Sequence, residues 1–118
     1  MRLLLDTHVF LWWLNNDRQL GADTRRAIEK PENTVFVSAA TAWEIAVKRG
    51  SGKLEAPGDI VEWIEQSSFS GLPIAVEHAV AAAELPMHHS DPFDRVLVAQ
   101  AQLEEMTLVS HDDAVHMY

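Results

Sequence analysis

Cysteine is absent from the 118 residues, which excludes disulfides, thiolate zinc sites and cysteine nucleophiles and leaves nothing to argue for an oxidising compartment. Long apolar runs are absent too. The run from Met1 to Leu5 is broken at Asp6, too short for the apolar region of a signal peptide and far short of the roughly 20 residues that cross a bilayer. The chain is therefore expected to be soluble and cytoplasmic, with no membrane partner. Basic residues are scarce: 9 Lys and Arg stand against 18 Asp and Glu, a formal net charge of -9. That balance opposes a general attraction to nucleic acid by phosphate neutralisation and favours a basic partner. The cations are nonetheless grouped, Arg25, Arg26 and Lys30 on one segment and Lys48, Arg49 and Lys53 on another. Each group is either an ordinary solvated helix face or a local path that tolerates phosphate.

With 47% hydrophobic and 23% charged residues, the composition fits one globular domain over residues 1–118 with an ordinary core. Four short runs rich in Leu, Val, Ile or Phe read as buried strands: Leu3 to Asp6, Thr34 to Ser38, Pro73 to Val76 and Thr107 to Ser110. Helices are predicted between them, from Thr7 to Asn15, Ala22 to Lys30, Ala39 to Arg49, Pro57 to Gln66, Glu77 to Leu85 and Pro92 to Met106. Gly50-Ser51-Gly52 stops the third, and Pro57 suits the first turn of the fourth. Strands alternating with helices imply right-handed crossovers and an α/β sandwich, with a central, mostly parallel sheet of four or five strands flanked by helices. Ligands of such sheets gather beyond the carboxyl ends of the strands, where strand order switches.

Four carboxylates fall where apolar segments meet that edge. Asp6 closes the first strand, Glu44 lies inside Ala42-Trp43-Glu44-Ile45-Ala46, Asp94 opens the run through Val96 to Ala99, and Asp112 follows Leu108-Val109-Ser110. Each has an ordinary explanation. Asp6 can cap the next helix, and Asp91 can cap a helix that has Pro92 at its first position and Asp94 near its positive end. Glu44 can pair with Lys48 one turn on, and Asp112 and Asp113 can be turn residues. Four independent caps, however, have no reason to converge on one sheet edge, and buried carboxylates are costly unless a positive charge joins them. Hard oxygen ligands suit Mg2+ or Mn2+, and such a site suits phosphodiester hydrolysis by a metal-activated water.

Four segments carry a resemblance: Leu-Leu-Asp-Thr-His-Val-Phe-Leu-Trp-Trp at 4 to 13, Ser-Ala-Ala-Thr-Ala-Trp-Glu-Ile at 38 to 45, His-Ser-Asp-Pro-Phe-Asp-Arg-Val-Leu-Val-Ala-Gln-Ala at 89 to 101, and Thr-Leu-Val-Ser-His-Asp at 107 to 112. In order and spacing they resemble the PIN-domain ribonucleases, most closely the toxins of VapBC-type toxin-antitoxin pairs. The resemblance implies a PIN-like sandwich and a metal-dependent endoribonuclease. Its acidic quartet falls on Asp6, Glu44, Asp94 and Asp112, with Asp6, Asp94 and Asp112 as ligands of Mg2+ or Mn2+. Thr7 and Ser110 match the family's hydroxyl positions and are candidates for contact with substrate or with the carboxylates. Asp94 matches the third carboxylate and Asp91 the cap before it. Implied partners are RNA as substrate, a cognate antitoxin encoded upstream, and a second copy of the chain in a homodimer. The family commonly continues beyond the fourth motif into a final strand, for which Tyr118 leaves little length.

Competing readings are a catalytically inactive interaction module with the same fold, and an aspartyl-phosphate phosphatase or receiver domain. The phosphatase pattern wants a second Asp two positions after the first, where this chain has His8, and a receiver wants a late Lys where it has Ser110 and His111. Trp12, Trp13, Trp43 and Trp63 sit in apolar helical patterns and read as core or interface. His88, His89, His111 and His116 complete no familiar zinc spacing and receive no catalytic role. His8 either touches substrate or fills the pocket rim.

Overall fold

The computed structural model describes residues 1–54 and 58–111. Strand β1 (Arg2–Leu5) leads into α1 (Thr7–Leu14) and α2 (Ala22–Glu29), then β2 (Thr34–Ser38), α3 (Ala39–Gly50), α4 (Ile60–Gln66), β3 (Ser70–Leu72), α5 (Val76–Glu84), α6 (Pro92–Leu103) and β4 (Thr107–Val109). The four strands form one sheet in the order β3-β2-β1-β4, and every pairing is parallel. This is the predicted α/β sandwich. A fifth strand would fall in residues 112–118, outside the described ones. Among the described residues no helix is long and apolar enough to cross a membrane.

Successive strand residues face opposite sides of a sheet, so a strand covered on both faces must be apolar throughout. β1 obeys this. Leu3 and Leu5 join Val35 and Val37 of β2 in a core with Val9 and Phe10 of α1, Ile28 of α2 and Ile45 of α3. Leu4 faces the other side, where Leu97 and Ala101 of α6, Ala40 of α3 and Met106 pack with Phe36. α3 contributes to both cores, Ala40 to one and Ile45 to the other. It therefore passes the carboxyl edge of the sheet, and between those two residues Thr41 and Glu44 are buried while Trp43 is exposed.

The third strand is displaced from its predicted place. It is Ser70–Leu72, paired with β2 through Phe36 and Ser70, Val37 and Gly71, and Ser38 and Leu72, and not Pro73 to Val76. Pro73 has no N–H for a ladder, and its carbonyl accepts from Gln100 Nε2 at 3.1 Å. Val76 already begins α5 and is 77% exposed. An edge strand is paired on one side only, so a three-residue Ser-Gly-Leu segment serves.

Helix ends also differ from expectation. Four helices close alike: the N–H of Asp17, Lys53, Phe69 or Met106 reaches back to the carbonyl of Trp12, Lys48, Ile64 or Ala101. The residue before each is left-handed, and it is Asn16, Gly52, Ser68 or Glu105. This is the six-to-one closure usually built on glycine, here made with glycine once. α6 thus stops at Leu103, three residues before the predicted Met106. The predicted start of α4 at Pro57 lies outside the described residues, and α4 begins at Ile60 with Asp59 accepting from the Val61 N–H.

Candidate active site

Strand β1 lies between β2, its successor in sequence, and β4, the last strand among the described residues, so strand order reverses across β1 and β4. Asp6 stands at that crevice. Its backbone N–H donates to the Val109 carbonyl at 3.0 Å, extending the β1–β4 ladder by one residue. The side chain, 3% exposed, divides its oxygens between two tasks. Oδ1 accepts from the Val9 N–H at 2.7 Å and caps α1. Oδ2 accepts from Ser110 Oγ at 2.7 Å and from the His111 N–H at 3.3 Å, with His111 Nδ1 at 3.1 Å. The capping reading of Asp6 is correct, and it leaves Oδ2 at the strand ends.

Glu44, one and a half turns into α3, is equally buried. Ser38 caps that helix by accepting from the Ala40 N–H, which fixes the helix start at the end of β2. Thr7 Oγ1 donates to Glu44 Oε1 at 2.6 Å and stands 3.2 Å from Thr41 Oγ1. Lys48 Nζ donates to Glu44 Oε2. Both halves of the Glu44 alternative therefore hold: it pairs with Lys48 and also belongs to the acidic group. The Lys48 ammonium is held above its ordinary range, mainly by the hydrogen bond to Glu44, with further help from the charges of Glu44, Asp91 and Asp94.

Asp91 caps α6, with Oδ1 accepting from the N–H groups of Phe93 and Asp94 at 2.8 and 3.3 Å. That places Asp94 in the first turn, where its carboxylate meets His89 Nε2 at 2.9 Å. The Asp94 carboxyl is pushed up to about 6. Burial is the main cause, and the charges of Asp91, Glu44 and Asp6 add to it, while His89 opposes them. Asp6, Glu44 and Asp94 are thus close enough to repel one another, as their convergence requires. Asp112, the fourth member expected, lies outside the described residues, as do Asp113 and His116.

Three neighbours emerge only in three dimensions. His89 faces Asp94, and His111 faces Asp6. The position of His111 just past the carboxyl end of β4 is a signal that the sequence offered. Arg95 is the third, and it is buried. Its guanidinium donates to the carbonyls of Ala82 at 2.8 Å and Leu85 at 2.9 Å at the end of α5. It also donates to those of His89 at 3.1 Å and Pro86 at 3.2 Å in the following loop. One side chain from α6 thereby closes α5 and fixes the loop that presents His89 to Asp94. Nothing in its motif showed this, because every acceptor is a main-chain oxygen.

Rings flank the carboxylates on two sides. His111 lies against His8 with the rings tilted and their centroids 4.2 Å apart, and meets Trp12 edge-on at 5.3 Å, beside Asp6. Trp43 and Phe93, the residues immediately before Glu44 and Asp94, meet edge-on at 5.1 Å. Trp12, Trp13 and Trp63 pack on the core as expected. Trp43 does not belong to the core, since it is 60% exposed.

Hard carboxylate oxygens are the donor set of Mg2+ or Mn2+. Among the described residues no group of three or more Asp, Glu and His side chains is placed so that it could hold a metal ion. The donors nevertheless fit a divalent cation in kind and in charge. Four carboxylates influence one another, and the Lys48 ammonium already supplies one positive charge to them.

The sequence model of the PIN domain matches residues 3–116. The chain is 26% identical over 113 residues to ribonuclease VapC22 of Mycobacterium tuberculosis, covering 93% of this chain and 86% of that protein. It is 32% identical over 62 residues to ribonuclease VapC16 of the same organism, covering 51% of this chain and 44% of that one. Among solved structures, VapBC2 from Rickettsia felis bound to a DNA fragment from their promoter superposes with a TM-score of 0.68 at 16% identity. That match covers 95% of this chain and 88% of the other.

Proposed function

This chain belongs to the PIN-domain family, and we propose that it is the toxin of a type II toxin-antitoxin pair, a cytoplasmic endoribonuclease that hydrolyses RNA phosphodiester bonds at the acidic edge of its sheet. One observation carries the reading: the raised Asp94 carboxyl, half-buried within range of Asp91, Glu44 and Asp6 where strand order reverses. A structural role alone gives no reason to concentrate like charges there. Similarity over most of its length to a protein named as a ribonuclease supports the same conclusion.

Asp6, Asp94 and Asp112 are the proposed holders of Mg2+ or Mn2+, which when bound supplies a hydroxide at neutral pH and stabilises charge on the phosphate. The chain's own groups do the rest. Ser110 and His111 orient Asp6 through Oδ2, and Thr7 and Lys48 orient Glu44 through both oxygens. Glu44, with one oxygen held by a hydroxyl and the other by an ammonium, is fixed in place to position an attacking water rather than to rotate away from it. His89, across from Asp94, limits its rotation.

The partners proposed are a basic antitoxin encoded upstream, whose Arg or Lys meets Asp6 and Asp94, and a second copy of the chain. The net charge of -9 supports the first. Exposed Val76, Val80 and Leu103 on α5 and α6 support an additional protein contact.

The test is cleavage of labelled RNA by purified protein with Mg2+, with and without chelator. Asp6→Asn should keep the α1 cap, because Asn also accepts from the Val9 N–H, and should abolish cleavage. Full cleavage by this variant, or full cleavage in chelator, rejects the assignment.

A further inference from the structure

A nuclease with this charge has a binding problem. Counterion release, the usual source of affinity for nucleic acid, requires cations facing the phosphates. The cation described within the acidic group, Lys48, already donates to Glu44, and four carboxylates surround the same place. Close to the carboxylates, contact with RNA is therefore better supplied by interactions that do not depend on charge, and base stacking on aromatic rings is one of them.

Trp43 is the ring so placed. It is 60% exposed on α3, immediately before a Glu44 that is 3% exposed. Phe93, immediately before Asp94, meets it edge-on at 5.1 Å. The edge-on neighbour restrains the indole, which remains 60% exposed. Trp43 lies in the second turn of α3 and Phe93 in the first turn of α6, helices whose caps, Ser38 and Asp91, are satisfied, so the pair is held by rigid elements and not by a loop. Burying so large an apolar side chain is worth far more than leaving it in water, yet most of this indole stays exposed.

Resting on the nuclease reading above, we propose that Trp43, braced by Phe93, is the platform on which an unpaired base of the RNA stacks while the adjoining phosphate lies at the carboxylates. A paired base cannot present its face to a side chain without leaving its stack. The platform therefore selects unpaired nucleotides next to the cut.

The test uses the full chain carrying Asp6→Asn to prevent cleavage, and a short fluorescein-labelled single-stranded RNA of mixed sequence followed by anisotropy. Trp43→Ala should weaken binding roughly 10-fold or more, and Trp43→Phe should retain most of it. RNA made abasic at successive positions should show one position where the loss matches Trp43→Ala and where that substitution causes no further loss. Unchanged affinity in Trp43→Ala overturns the proposal, and so does an equal loss on fully abasic RNA. If Trp43→Ala turns a dimer into monomers in light scattering while affinity per protomer is kept, the ring belongs to a second copy and the proposal fails. The two readings separate cleanly. A chain with Asp6 restored that binds this RNA through Trp43 yet cuts none of it in Mg2+ rejects the nuclease and keeps the platform. Cleavage unimpaired by Trp43→Ala rejects the platform and keeps the nuclease.

Discussion

Replacing Asp94 by Asn should make the metal-free protein more stable at neutral and alkaline pH. In the fold the Asp94 carboxyl titrates at about 6 and not at its ordinary 3.8, chiefly because it is buried and secondly because Asp91, Glu44 and Asp6 oppose its charge. A raised acid binds its proton more tightly folded than unfolded. Its ionisation therefore costs stability at every pH above about 6, and the cost fades on acidification and vanishes below about 4. The full shift corresponds to ~3 kcal/mol. Asp94 retains a fifth of its side-chain exposure, so screening reduces the expected gain to ~1–2 kcal/mol. For a chain of this length that is a rise of roughly 3–8 °C in Tm. Asn keeps an oxygen for His89 Nε2, which limits the offset from losing that ion pair. Melting curves by circular dichroism in chelator, across the acid and neutral range, measure the difference. It should shrink as the pH falls towards 4 and also when Mg2+ is added, because bound metal stabilises only the protein that holds it. An Asn variant less stable than the parent at alkaline pH would refute the reasoning and make Asp94 a structural partner of His89.

Glu44→Gln should lower RNA turnover on the order of 100-fold, with Tm nearly kept because Thr7 still finds an acceptor; equal turnover in a cleavage assay would return Glu44 to a purely structural pairing with Lys48. Arg95→Met should cost about 3 kcal/mol or more in urea denaturation, since it leaves the buried carbonyls at the end of α5 without donors. Arg95→Lys should not restore the loss, because a single ammonium cannot reach acceptors spread over that turn and loop. A cost below about 1 kcal/mol would mean that water replaces the guanidinium.

The parallel core and most of the acidic group were legible because their signals are local. Buried strands announce themselves by unbroken apolar runs, and in a parallel sheet the residue after such a run stands at the ligand edge; Asp6 and Ser110 follow from that alone. Glu44 needed only one further turn of helix. What failed were positions decided by distant partners or by closure without glycine. Pro73 to Val76 is apolar in composition, yet Val76 lies in solvent and the edge strand is Ser70–Leu72. The end of α6 was hidden because Glu105, not glycine, takes the left-handed turn. Trp43 shares an apolar pattern with buried neighbours and still points outward. His89 and Arg95 meet partners across a loop, where no fixed spacing could have paired them.

Asp6 is made first and completed last. Its Oδ1 finds the Val9 N–H three residues on, but the Ser110 hydroxyl that fixes Oδ2 comes 104 residues later. During translation, α1 can therefore be capped while most of the sheet has yet to leave the ribosome. The crevice between β1 and β4 has only one wall until β4 emerges. A nascent chain, or a fragment released early, carries Asp6 and Glu44 without the group that orients Asp6. Long closure of this kind slows folding, and it withholds an oriented Asp6 until residue 110 has been made. If the chain cuts RNA as proposed, the pairing of β1 with β4 keeps the unfinished site apart from the RNA of the ribosome that makes it.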